Sequence, residues 1–121
     1  MAALNIREEI DHQVALDSAY RVVDAIRSWL SDYGWVHIDL GVDKKTAAII
    51  VDWIFVDQAD RGSGHGQKAL SYLCQLADKY AVPLELEVGG GETDTSWLLR
   101  WYASHGFTFV PGENYLRRDP R

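Results

Sequence analysis

The stretch Ile54-Phe55-Val56-Asp57-Gln58-Ala59-Asp60-Arg61-Gly62-Ser63-Gly64-His65-Gly66-Gln67-Lys68-Ala69-Leu70 joins the end of an apolar run to the start of an amphipathic one. Upstream, Ala48 to Val56 is almost continuously apolar, the pattern of a central strand covered on both faces, with Asp52 as its one interruption. Downstream, Ala69, Leu70, Leu73, Cys74, Ala77 and Tyr80 share one face of a helix spanning Gly66 to Tyr80. The glycines between them carry no Cβ, so backbone N–H groups can turn inward and approach a ligand. A helix start adds unsatisfied donors and a positive dipole end. With the fixed charge of Arg61, this strand–loop–helix unit is an anion site suited to a pyrophosphate.

The flanking segments read as one α/β domain over residues 1–121. Upstream, Trp35 to Val42 is a strand that a turn at Asp43-Lys44-Lys45 connects to the run Thr46–Val56, giving an antiparallel hairpin. Before it, Asp17 and Ser18 are placed to cap a helix with Ala19, Val22, Val23, Ile26, Trp29, Leu30 and Tyr33 at helical spacing, ended by Gly34. Leu4 to Ile10 fits either a strand or a helix start. Downstream, Pro83 to Val88 alternates as a strand, and Gly89-Gly90-Gly91 breaks it. Thr93 or Asp94 caps a third helix that carries Leu98, Trp101 and Tyr102 and stops at Gly106. Phe107–Val110 and Tyr115–Arg117 close the chain around Pro111-Gly112. The expected architecture is a mixed, mostly antiparallel central sheet with helices on both faces.

Composition narrows the function classes. The chain has 121 residues, 47% apolar and 25% charged, which suits a soluble globular domain. It shows neither a run of about 20 apolar residues nor a signal-peptide pattern, so a cytoplasmic location away from membranes is expected. The net charge of −6 argues against nucleic-acid binding and favours a cationic acceptor. Cys74 is the only cysteine and His12, His37, His65 and His105 show no metal-ligand spacing, so no metal is expected. Two nucleotide loops are excluded. Gln67-Lys68-Ala69 replaces the Lys-Ser or Lys-Thr pair of the ATPase loop, and Gly62, Gly64 and Gly66 are too closely spaced for a dinucleotide fingerprint.

On these residues the sequence resembles the GNAT superfamily of N-acetyltransferases. Its cofactor signature, Arg or Gln followed by x-x-Gly-x-Gly or Ala, is met by Arg61, Gly64 and Gly66 after the apolar strand. Trp101-Tyr102-Ala103-Ser104-His105-Gly106-Phe107 is similar to its C-terminal signature, an aromatic residue shortly before Gly-Phe. The resemblance covers roughly Thr46 to Val110. It implies that acetyl-CoA serves as co-substrate in a cleft where two parallel strands splay. Backbone groups of Ile54, Phe55 and Val56 would pair with the pantetheine arm, and the loop from Arg61 through Gly62, Ser63, Gly64, His65 and Gly66 would hold the pyrophosphate. A primary amine, on a small molecule or a protein, would attack the thioester directly.

Tyr102 matches the family position that protonates the departing thiolate, and a phenol has a suitable ordinary pKa of about 10. It fits a core aromatic beside Leu98 equally well. Asp52, inside the apolar strand, is a base candidate because burial would raise its pKa. Glu87, on the neighbouring strand, could act through water, although an alternating strand also places it toward solvent. The five tryptophans are mainly core candidates, one or two of which could wall an acceptor pocket. The N-terminal part is short for the family, so a homodimer could complete that wall. Thr95 stands near where many relatives carry Asn. Two other functions remain open, a non-catalytic acyl-CoA-binding module and a protein-interaction domain on the same scaffold.

Overall fold

The computed structural model describes residues 6–56, 62–87 and 96–121. In chain order it contains α1 (Ile6–Tyr33), β1 (Val36–Val42), β2 (Ile49–Val56), α2 (His65–Lys79), β3 (Leu84–Glu87), α3 (Ser96–Ser104), β4 (Thr108–Phe109) and β5 (Tyr115–Arg118). The strands form one sheet in the order β1-β2-β3-β5-β4. Among the described residues only β2 and β3 run parallel, and the other three pairings are antiparallel. The mixed, mostly antiparallel α/β sheet expected from the sequence is therefore present. Gly89–Gly91 and the caps proposed at Thr93 or Asp94, with Thr95, lie outside the described residues.

Helix α1 starts well before Asp17 and Ser18, which lie inside it and cap nothing. Glu8 and Glu9 sit in its first turn, where the helix dipole favours acids. Gln13 donates to Asp17 one turn later at 3.0 Å. The buried stripe is Ala19, Val22, Val23 and Ile26, whereas Ile6, Ile10 and Val14 are exposed. These exposed early positions show none of the burial periodicity that marks the later ones, although His12 reaches the Lys44 carbonyl in the hairpin turn at 2.8 Å. Gly34, at φ 76°, ends the helix and donates its N–H to the Leu30 carbonyl.

The hairpin turn forms as expected, with Asp43 accepting from the Ala47 and Lys45 backbone N–H groups. Between β1 and β2 the register shifts: Asp39 pairs with Trp53 and Leu40 with Val51, leaving Asp52 as an extra bulged residue. Val36, Ile38, Leu40 and Val42 share a face with Val56, Ile54, Val51 and Ile49. That face joins α1 and α2 through Leu70, Leu73, Cys74 and Ala77, together with Leu84, Leu86, Phe107 and Leu116. Burying Ile26, Ile49 or Leu84 fully contributes about 1.5–3 kcal/mol each.

One end of the other face is open. Asp39, Trp53 and Glu87 are exposed, so no described helix covers this end of the sheet. The ring-bearing half of the β2 apolar run thus looks outward on an open face. The C-terminus is latched on the helix side: Arg118, only 3% exposed, donates to both oxygens of Asp78 on α2 at 2.8 and 2.9 Å. Its Nε donates to the His105 carbonyl just after α3 at 2.7 Å. Gly106 follows at φ 93°, where a Cβ would collide with the Arg121 guanidinium.

Candidate functional site

The cleft lies beyond the described pairing of β2 with β3. The parallel pairs are Ile49–Leu84, Ile50–Glu85 and Val51–Leu86. Beyond them β2 continues to Val56 in register with β1, and β3 is described as far as Glu87. The opening lies at the carboxyl ends of adjacent parallel strands, a common ligand position in open α/β sheets. It encloses about 590 Å³, within the range of small-molecule sites. Ile54, Phe55 and Val56 form one wall, Gly62, Gly64, His65, Gly66 and Gln67 the loop side, and Trp97, Leu98, Trp101 and Tyr102 of α3 the opposite wall.

Local chemistry explains the loop. Gly62 and Gly64 have φ of 86° and 83°, in the left-handed region where a Cβ is strained. Gly64 is the residue before α2 and supplies no side-chain cap. Its carbonyl accepts from Lys68 N–H at 3.0 Å. The N–H groups of His65, Gly66 and Gln67 consequently have no acceptor within the helix, and they start beside the cleft. A Cβ at Gly66 would sit 3.5 Å from the Val56 side chain and 3.8 Å from the Trp101 ring, ordinary contact distances, so neither space nor backbone angle demands glycine there. Arg61 lies outside the described residues, and Ser63 does not line the cleft.

His65 is anchored rather than swinging outward. Its Nδ1 is 2.6 Å from the Tyr33 hydroxyl, and its ring stacks on Trp35 with centroids 4.7 Å apart. Tyr33 stacks in turn on Trp29 at 4.5 Å, and Lys68 Nζ lies 5.3 Å over the Tyr33 ring. On the other side, Gln67 Oε1 accepts from Trp101 Nε1 at 2.7 Å and from His105 Nε2 at 3.0 Å. That arrangement puts a proton on His105 Nε2. Burial, and then the charge of Arg118, hold its imidazole below the ordinary range. Gln67 thus fixes the α3 wall against the loop across a chain separation that no local pattern reveals.

Tyr102 both packs on the core and faces the cleft. The ring packs edge to face on the buried Phe107, with centroids 5.7 Å apart, and the residue also lines the cleft. Burial pushes its phenol above the ordinary value, which keeps the proton on the oxygen near neutral pH. Asp52 needs correction as a buried base, because the bulge exposes it and it does not line the cleft. Glu87 is exposed as well; it and Asp52 are the first residues beyond the last parallel pair, at the point of splay. Gln67, Trp97, Leu98 and Trp101 also line the cleft; the sequence offers the tryptophans only as core or pocket-wall candidates and gives Gln67 no role. The aromatic content of α3 was the available signal for the two tryptophans. Cys74 is buried, in its expected core role. Among the described residues no group of His, Cys, Asp or Glu could hold a metal, and no helix is long and apolar enough to cross a membrane.

Fold and site together define a mixed α/β domain with a glycine-turned helix start at a strand-splay cleft. Among solved structures, the chain is similar to the crystal structure of the anti-CRISPR protein AcrVA5. The two are 16% identical with a TM-score of 0.55, over 69% of this chain and 90% of that one. At that identity the likeness concerns the fold alone. No protein-family model and no curated protein matches the sequence.

Proposed function

We propose that the protein is an N-acetyltransferase that binds acetyl-CoA in the cleft and passes the acetyl group to a primary amine by direct attack. The observation that carries this reading is the left-handed Gly64 turn, which opens α2 onto the splay between β2 and β3 with Tyr102 on the facing wall. Three backbone donors at one helix start suit a diphosphate. The apolar wall Ile54–Val56 suits a long, uncharged arm laid along β2.

The chemistry assigned to the chain is proton management. The amine nitrogen forms a bond to the thioester carbon as the carbon–sulfur bond breaks. Tyr102, which burial keeps protonated, gives its proton to the departing thiolate. The amine proton leaves through water toward Glu87, the exposed carboxylate on the β3 side of the splay.

Gly64→Glu tests the placement of the donor. A non-glycine residue at φ 83° is strained, and the new carboxylate would stand where phosphate is expected. Acetyl-CoA affinity measured by calorimetry is expected to fall about 100-fold or more, with the melting transition still cooperative. Unaltered affinity would mean that the donor binds elsewhere. Thiol release from acetyl-CoA with amines separates the enzyme from a non-catalytic acyl-CoA-binding module, which would bind but never turn over.

A further inference from the structure

The sheet face turned away from α1 and α2 carries side chains of which the acyl-transfer reading uses only Phe55 and Glu87. By register, Asp39 lies opposite Trp53 and His37 opposite Phe55 on that face, while Glu85 lies opposite Arg117. Trp53 and Phe55 are 50% and 42% exposed, and their rings meet edge to face at 5.9 Å. Arg117 is already engaged, with Glu85 at 2.7 Å and Asp119 at 2.8 Å. Asp39, Asp52 and Glu87 are exposed, and no cation among the described residues pairs with them. One carboxylate therefore stands on each of β1, β2 and β3 around the half-exposed Trp53 ring, on a chain of net charge −6.

That combination has a definite chemical complement. A lysine or arginine side chain can lay its methylene stem along an aromatic ring and hold its charge near carboxylates and the ring face. Three adjacent strands span roughly 10 Å, so the carboxylates are spread along a surface rather than gathered into a pocket. A segment with several cations at intervals fits that spread better than a single small amine does. Phe55 belongs both to this face and to the cleft wall, so a segment lying here reaches the cleft mouth.

We infer that this open sheet face docks a basic peptide segment of a protein partner, and that a lysine of that segment is the acceptor amine. The identification of the acceptor rests on the acyl-transfer reading; the docking does not. Neither Trp53 nor Asp39 lines the cleft, so changing them separates docking from donor binding.

The test is calorimetric titration of the whole protein with a short lysine- and arginine-rich peptide, a glutamate-rich peptide of equal length, and spermidine. The basic peptide is expected to bind, more weakly as salt is raised. Trp53→Ala and Asp39→Lys should each weaken it about tenfold or more while leaving acetyl-CoA affinity unchanged. Absence of peptide binding overturns the docking, as does binding that neither variant weakens. Spermidine bound as tightly, with the same sensitivity to Trp53→Ala, would replace the peptide site with a polyamine site. If acetyl-CoA binds and the peptide does not, docking fails alone. If the peptide binds and acetyl-CoA does not, the acyl-transfer reading fails alone.

Discussion

Asp78→Ala is expected to destabilise the protein by about 3–5 kcal/mol, the cost of leaving a buried guanidinium without its carboxylate. Arg118 is 3% exposed and spends two of its nitrogens on Asp78, so no water can replace that partner cheaply. The loss should appear as a fall in melting temperature of about 10 °C or more. Restoring packing with an apolar pair at both positions should recover much of it. The acid limb supplies an independent check. The Arg118 hydrogen bond, chiefly, holds the Asp78 carboxyl below its ordinary range. Its contribution is therefore full above the unfolded carboxyl value of about 3.9 and disappears as pH falls through the lower folded value. His105 acts earlier in the same direction, because an imidazole held below its ordinary value loses stability as pH falls below about 6.5. In Asp78→Ala the limb below about pH 4 should flatten while the His105 limb remains. A full acid limb in the variant would assign that titration to other carboxylates.

Tyr102→Phe is expected to lower turnover about 100-fold, the lower end of what a positioned acid contributes, while acetyl-CoA affinity stays nearly constant. The ring keeps its contact with Phe107, so the fold should hold. Loss of affinity together with turnover would point to a packing role instead. Unchanged turnover, with chemistry rate-limiting, would remove Tyr102 from the protonation step.

Local chemistry made the centre of the molecule legible in the sequence. Gly62, Gly64 and Gly66 between an apolar run and an amphipathic one mark a strand, a left-handed turn and a helix start, and those are the elements found. The start of α1 was hidden because Ile6, Ile10 and Val14 face solvent and give no burial period. Asp52 misled for a related reason. A bulge there shifts the parity of β2, so that Val51 and Ile54 share the core face while Trp53 and Phe55 look outward. An apolar run read as covered on both sides was instead half core and half open surface. The clamps were the least legible features. Gln67 meets Trp101 and His105, and Asp78 meets Arg118, across 34 to 40 residues of chain. Such pairs exist only once the sheet order brings α2, α3 and β5 together. Proximity in space, rather than residue type, also made Gln67 part of the cleft.

The most direct test is thermal stability with acetyl-CoA, CoA, ATP and NAD added separately. A ligand at 100 times its dissociation constant stabilises the native state by about 2.7 kcal/mol, readily seen in a domain of this size. An upward shift with acetyl-CoA and CoA, and none with ATP or NAD, is the expected result. No shift at millimolar CoA, or an equal shift with ATP, would contradict an acyl-CoA site at the Gly64 turn.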